Sequence, residues 1–367
     1  MSMSFSSTKR LSVLLGAVGA VLAHASAHAA TAAEANRLED IVVTAERRSE
    51  PSQSVAVALS VLPEELLKDV GIGDVNGLKY ATPSLEIEPA FGSSQAQFRL
   101  RGVGFIDYTS NNSSPVGVTL DGVALPFPIQ SQGQLYDVSR VEVLRGPQGT
   151  LYGRNTTGGA INFISNAPTD SAHAGLDVSL GSHGALSGEG YLSGPLADGL
   201  AGRLSVAGEQ GGAWQVNRAT GEKLGDKDRL AVRGQLLWHF GNSTLRVIAH
   251  TSRDRSDALG LQLFTPFTPT SNASHPLPAD SSPYATGWSL RPAFAQELGL
   301  RANQKPGVDN EHSGVSAELN VDLGGATLTS ITGYDSLTRR ELTDWDASAY
   351  VESDVYFRSH ARSFSEE

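Results

Sequence analysis

The stretch Leu230-Ala231-Val232-Arg233-Gly234-Gln235-Leu236-Leu237-Trp238-His239-Phe240 decides the fold class. Laid out as an extended chain, it puts Leu230, Val232, Leu236, Trp238 and Phe240 on one face and Arg233, Gln235 and His239 on the other. A two-residue period means a strand, because successive side chains in a strand point to opposite sides. The pattern recurs. Val315, Ala317, Leu319, Val321 and Leu323 alternate with Ser316, Glu318, Asn320 and Asp322. Leu245, Val247 and Ala249 alternate with Arg246, Ile248 and His250, and Leu186, Gly188, Gly190 and Leu192 with Ser187, Glu189, Tyr191 and Ser193.

Working outward from these segments, the connections also alternate. Residues 195–200, 241–243 and 324–325 are tight turns, whereas 210–227, 254–312 and 336–356 are long polar links. Short turns on one side and long loops on the other, joining strands of about ten residues, are the pattern of an antiparallel transmembrane barrel. A soluble sandwich has no reason for that regularity and tolerates few inward charges. Trp238, Phe240, Trp345, Tyr350 and Tyr356 lie near predicted strand ends, where they suit interfacial girdles.

The N-terminus carries an export address. Lys9 and Arg10 precede an apolar run over residues 11–22, and Ala27-His28-Ala29 supplies a small-x-small cleavage pattern, so residues 1–29 read as a signal peptide. The run is too short for a spanning helix, which needs roughly 20 apolar residues. No later stretch is longer, so a membrane would be crossed by strands.

The 367 residues contain no cysteine, which removes disulfides and thiolate chemistry. Gly at 39 and charged residues at 18% favour many short strands and turns. The formal net charge of −11 excludes a nucleic-acid partner, since no basic stripe is available to neutralise phosphates.

Residues 30–49 form a polar tether interrupted by Glu39-Asp40-Ile41-Val42-Val43-Thr44-Ala45, two acids and a β-branched run with polar flanks. With no sequence neighbour to pair with, this run is either the first strand of the next domain or an extended peptide that adds to another protein's sheet edge. Residues 50–168 read as one mixed α/β domain. Pro63 opens a helical turn with Glu64 and Glu65 near its N-terminus and Gly71 as its stop, Asp74 caps a second turn, and Pro83 ends it. Strand-like pieces follow at 97–101, 117–120, 138–144 and 160–165, with Asp121-Gly122 as a hairpin turn.

These stretches, in this order, resemble the TonB-dependent receptors of Gram-negative outer membranes. Glu39–Ala45 looks like their TonB box, and Phe98-Arg99-Leu100-Arg101-Gly102-Val103-Gly104 like a plug segment with an Arg-Gly pair. The most specific match is Val141-Glu142-Val143-Leu144-Arg145-Gly146-Pro147-Gln148-Gly149-Thr150-Leu151-Tyr152-Gly153, continuing through Asn155 and Gly158-Gly159-Ala160-Ile161-Asn162. The resemblance implies a mixed α/β plug followed, over 169–367, by seven to eight antiparallel barrel strands of about 22. Such a plug, about 34 Å across, does not fit an eight-strand barrel of about 16 Å, so the chain reads as lacking about 14 strands after Glu367.

The same resemblance implies residue roles. Arg99, Arg101, Gly102, Glu142, Arg145, Gly146, Gly149 and Gly153 would form the plug core and its contacts with inward barrel carboxylates. Phe105, Asp107, Tyr108 and Phe127 are the positional candidates for ligand contact, with loop residues from 254–312. The implied partners are TonB with its ExbB–ExbD energy complex at Glu39–Ala45, outer-membrane lipid and lipopolysaccharide, and a scarce nutrient, by family default a ferric siderophore. Saccharide or cobalamin import, and a non-importing adhesin, are the alternatives.

Catalytic readings fail on spacing. Gly102-Val103-Gly104 completes no dinucleotide fingerprint, and no Walker lysine follows the glycine-rich run. Gly181-Ser182-His183-Gly184 reads as a hairpin loop rather than a nucleophile elbow. Asp344-Trp345-Asp346 lacks the remaining ligands of a calcium loop. The nine histidines show no ligand spacing, so no metal, cofactor or enzymatic role is expected.

Overall fold

A computed structural model describes residues 42–44, 50–89, 95–105, 107, 109, 112–131, 135–270, 273, 274, 276–350 and 352–367. Among them no helix is long and apolar enough to cross a membrane, which leaves crossing by strands open.

The first part of the chain contains β1 (Val42–Val43), β2 (Glu50–Pro51), β3 (Ala58–Pro63), a helix at Glu64–Asp69, a second at Leu78–Ala81, β4 (Leu85–Pro89), β5 (Ala96–Leu100), β6 (Val116–Leu120), β7 (Val123–Ala124), β8 (Val138–Arg145), a turn of helix at Gly149–Tyr152 and β9 (Gly159–Ser165). Five strands form one sheet in the order β3-β8-β9-β6-β7. The β6–β9 pair is parallel, a crossover that local sequence pattern does not reveal. Asp121 and Gly122 both take positive φ (47° and 83°), the geometry of the tight turn joining β6 to β7. The 64–69 helix carries Glu64 and Glu65 in its first turn and Lys68 in its last, matching the helix dipole at both ends. Asp74 accepts from Gly77 N–H and caps the next turn. One core joins these elements: Leu62, Leu67 and Leu78 from the strand and helices meet Ile87, Phe98, Val141, Val143 and Ile161 from the sheets.

Eight long strands follow in one antiparallel meander: β10 (His173–Leu180), β11 (Leu186–Ala197), β12 (Leu200–Gly211), β15 (Lys227–Phe240), β16 (Ser243–Asp254), β19 (Asn310–Asp322), β20 (Thr327–Asp344) and β21 (Asp354–Glu366). Their long loops carry small elements of their own: β13 (Gln215–Asn217), β14 (Lys223–Leu224), β17 (Ala285–Thr286), a helix at Pro292–Leu298, and β18 (Gly307–Val308), which pairs with the end of β20. Eleven residues at about 3.4 Å each suffice to cross a tilted path through the hydrocarbon. The 12-residue β12 and the 18-residue β20 both reach that length.

The two faces separate as the alternation predicts. Leu204 and Val206 on β12 and Leu230 and Leu236 on β15 point outward and are exposed, while Arg203, Ser205, Arg233 and Gln235 point inward and are buried. Trp238 and Phe240 pack against each other on the outer face, ring centroids 4.7 Å apart and planes tilted by 40°. Two expectations need correction. The third long link is only residues 345–353, because β20 continues through Asp344 and β21 begins at Asp354. Tyr356 packs with Leu290, Ala295 and Leu342 rather than standing in a girdle, since the Pro292–Leu298 helix folds onto that strand end.

Candidate functional site: the docked N-terminal strand and the plug–wall seam

Within the box segment, the described residues are Val42, Val43 and Thr44; Glu39, Asp40, Ile41 and Ala45 lie outside them. The run does have a neighbour in its own chain. Val43 pairs with Glu50 and Val42 with Pro51, antiparallel. Val43 is 0% exposed and packs on Leu144 and Ala160, with Val55, Leu59 and Tyr152 around them. Val42 points the other way and is exposed. Thr44 N–H donates to Glu142 Oε1 at 2.9 Å, and its hydroxyl reaches the same oxygen at 3.3 Å.

Glu142 is itself 0% exposed. A carboxylate taken out of water must be paired and hydrogen-bonded, and Arg140 Nε supplies the charge at 2.8 Å. Asn162 Nδ2 lies at 3.5 Å from the other carboxylate oxygen and donates to Tyr152 OH at 2.8 Å, while Thr119 donates to Asn162 Oδ1 at 2.9 Å. The berth of Thr44 is therefore wired into β6, β8 and β9.

The resemblance placed Arg99, Arg101, Glu142 and Arg145 against barrel carboxylates. Among the described residues, Arg99, Glu142 and Arg145 hold partners inside the first domain. Arg99 meets Glu86 at 3.4 Å across β4–β5, Glu142 holds Thr44, and Arg145 donates to Pro83 O at 3.2 Å and to Ser60 Oγ. Arg101 sits at a turn with positive φ of 52° beside Gly102 at 76°. Burial, and then the Arg101 charge, push the Arg145 guanidinium down. Gly146 and Gly153 also take positive φ, at 95° and 71°, and Gly149 begins the short helix.

The domain meets the wall through a different set. Asp137, at the start of β8, accepts from Arg203 Nε at 2.7 Å and from Arg203 Nη2 and Ser205 Oγ. Burial raises the Asp137 carboxyl, but the bonds from Arg203, Ser205 and Asn166 outweigh it and hold the group below the usual carboxylate range. Arg203 lies over the Tyr191 ring at 3.9 Å, and Arg233 over Tyr136 at 4.5 Å. Arg246 reaches Ser165 Oγ at 2.8 Å and Asp121 at 3.5 Å. Lys68 bridges Glu64, Asp177 and Glu189 at 2.9, 2.8 and 3.5 Å. Further round, Gln130 donates to Ser363 at 2.9 Å, and Arg339 joins Glu341 to Gln95 at 2.6 and 3.2 Å. Sequence reasoning missed Asp137, Lys68, Asp121 and their arginines. The signal was present, since β12, β15, β16 and β20 each place an arginine on the inward face.

Of the ligand candidates, Tyr108 lies outside the described residues, and Phe105 and Phe127 are half-buried. Asp107 is committed locally. Its carboxylate accepts Thr109 N–H and Oγ1, both at 2.8 Å, and Asn112 Nδ2, while Gln95 and Gln97 donate to its carbonyl at 3.0 and 2.6 Å. Burial pushes that carboxyl up, and the Asn112 and Thr109 bonds bring it below the ordinary value. Phe127 opens the turn whose Gln130 touches the wall.

Residues 51–160 match the family model of the TonB-dependent Receptor Plug Domain. Over 249 residues the chain is 31% identical to the pesticin receptor of Yersinia pestis and 30% identical to that of Yersinia enterocolitica. Residues 51–160 thus match a TonB-dependent receptor plug, and the strands after them have the fold of part of such a receptor's barrel. Each Yersinia alignment covers 65% of this chain and 36% of the relative, so the chain spans about a third of the length of the curated relatives it matches. The fold is also that of the ferric yersiniabactin uptake receptor of Yersinia pestis, with TM-score 0.61 at 20% identity over 78% of this chain and 42% of that one. The ferripyoverdine receptor of the outer membrane of Pseudomonas aeruginosa gives TM-score 0.63 at 16% identity, over 82% and 37%. The 41–45 run thus sits ahead of a plug, and the arginine-lined seam is where that plug meets its wall.

Proposed function

We propose that this protein is an outer-membrane receptor that imports a ferric siderophore under TonB control, with the 39–45 segment as the coupling strand. The observation that carries the reading is the berth of Val43 and Thr44: one buried side chain and one charge-assisted hydrogen bond hold the strand against the plug. Two or three such contacts are enough to keep a short strand docked and few enough to release it. The names of the relatives, which include a ferric yersiniabactin uptake receptor and a receptor bound to ferripyoverdine, favour an iron chelate as cargo.

In this reading ligand binds from outside near Phe105, Asp107, Tyr108 and Phe127, with loop residues of 254–312. Gln130, three residues from Phe127 and bonded to the wall, ties that surface to the seam. Release of the coupling strand then lets TonB add it as a strand, energised through ExbB–ExbD, and the plug yields along the Asp137–Arg203 seam. The outward apolar face lies against outer-membrane lipid and lipopolysaccharide. No catalytic step is assigned to any residue.

Deleting residues 41–45 from the full-length receptor tests this. Ferric-siderophore uptake should be lost while binding at the cell surface is retained. Energy-dependent uptake at the original rate by the deletion variant would refute the reading.

A further inference from the structure

His250 on β16, His312 on β19 and Asp335 on β20 stand on three successive strands and share the inward face. His250 and Asp335 are both register partners of Gly314, one on each side. A Cβ at residue 314 would collide with Asp335 Oδ1 and His250 Cε1, so only glycine lets the two side chains converge above the middle strand. His312 enters from two residues along β19, on the same face. Its Nε2 lies 2.9 Å from Asp335 Oδ1, and His250 Nε2 lies 3.2 Å from the same atom. The two imidazoles meet edge to face with centroids 5.0 Å apart, and one donor atom from each of the three residues falls within 4.8 Å of the others. His250 Nε2 is buried, and despite its distance from Asp335 it makes no hydrogen bond of acceptable geometry.

We propose that His250, His312 and Asp335 bind a divalent transition-metal ion of the zinc class. Two imidazoles and one carboxylate are the donor set of open zinc sites and of facial-triad iron sites; calcium and magnesium prefer all-oxygen shells. Ligands about 2.1 Å from a tetrahedral ion stand about 3.4 Å from one another, so the two imidazole–carboxylate separations of 2.9 and 3.2 Å need to widen by only a few tenths of an ångström, and the two imidazole donors already lie within 4.8 Å of each other. Three protein ligands leave a position open. His250 and His312 line the cavity between wall and plug together with Ile129, Tyr136 and Leu337, so that position faces water or a small-molecule donor inside the lumen. Sequence spacing could not reveal the set, because its members come from three strands and converge only when Gly314 stands between them. The site rests on wall geometry alone and holds whether or not the import reading does.

The test uses the full chain folded in detergent micelles, stripped with a chelator and titrated with Co²⁺. One equivalent should bind with the intense visible absorption of a four- or five-coordinate ion and be displaced by Zn²⁺. His250→Gln and His312→Gln should each weaken binding by more than the roughly 10- to 100-fold that outer-shell changes cost. His173→Gln, on the exposed edge strand β10, should leave it unchanged. Undiminished Co²⁺ binding in both variants, or no stoichiometric binding by the folded wild type, would overturn the proposal. Should the variants not fold, X-ray absorption of the Zn²⁺-loaded wild type decides: two imidazoles in the inner shell are expected, and an all-oxygen shell refutes the site.

Discussion

Thr44 donates its backbone N–H to Glu142 Oε1 at 2.9 Å across 98 residues of sequence. That bond joins the strand assigned to an outside partner to the most buried carboxylate of the plug. Its loss would loosen the strand while leaving the plug's main apolar core untouched.

A hydrogen bond to a charged group contributes about 1.5–3 kcal/mol. Glu142→Gln keeps an acceptor but removes the charge, and with it the pairing to Arg140. Hydrogen exchange at Thr44 should then quicken by about 10- to 150-fold, that free energy converted at a factor of ten per 1.4 kcal/mol. Exchange at Val141 and Val143, in the sheet, should change far less. Equal acceleration at all three would mean global loosening rather than release of the strand.

The seam rests on Asp137 and Arg203, a buried pair in contact through two nitrogens. Removing one member of such a pair leaves the other charge desolvated, at a cost of about 3–5 kcal/mol. Arg203→Ala should lower the unfolding free energy by that order, and the double variant with Asp137→Ala should recover part of it. A double-mutant cycle in urea measures the coupling, and a value of zero would show that the pair is idle.

The same carboxylate sets a pH dependence. The folded pKa of Asp137 lies below the ordinary carboxylate value, so its contribution is fully present above about pH 4 and is lost as pH falls through the folded value. The stability gap between wild type and Asp137→Asn should accordingly be flat near neutrality and shrink under acid. A gap that widens with acidification would contradict the sign.

On the outer face, Leu204 lies a few residues above the turn between β11 and β12 and is exposed, on the side that would meet hydrocarbon in the import reading. Leu204→Arg should cost about 2–4 kcal/mol of folding in lipid. Heat-modifiable mobility in reconstituted membranes gives the folded fraction, and an unaffected fraction would place this face away from hydrocarbon.

Gly159 takes φ of 146°, and a Cβ there would collide with Leu144 O on the neighbouring strand. Gly159→Ala should therefore open the β8–β9 pair at its Arg145 end. Faster exchange at residues 144 and 160 by mass spectrometry is the expected result, and unchanged protection would show that the backbone adapts.

Much of the architecture was legible in the sequence because local rules govern it. Alternation in Leu230–Phe240 needs only the pleat of a strand to sort Leu236 outward and Gln235 inward. Asp121-Gly122 needs only positive φ to turn a hairpin, and Pro63 with Glu64 and Glu65 needs only the dipole to start a helix. What pairs with what was not legible, since pairing is decided by atoms that come together after folding. Val43 looked partnerless until Leu144, Ala160 and Glu142 folded up to it. The bonds of Glu142 and Arg145 described above run inside the plug, while Asp137 and Lys68 reach the strands of the wall. The sequence by itself determined the alternating wall, the compact plug ahead of it and the segment that precedes both, because period, turn chemistry and charge act over a few residues. Only the tertiary structure decided that Thr44 rests on Glu142 and that His250, His312 and Asp335 meet over Gly314, because burial and register bring together residues that the chain keeps far apart.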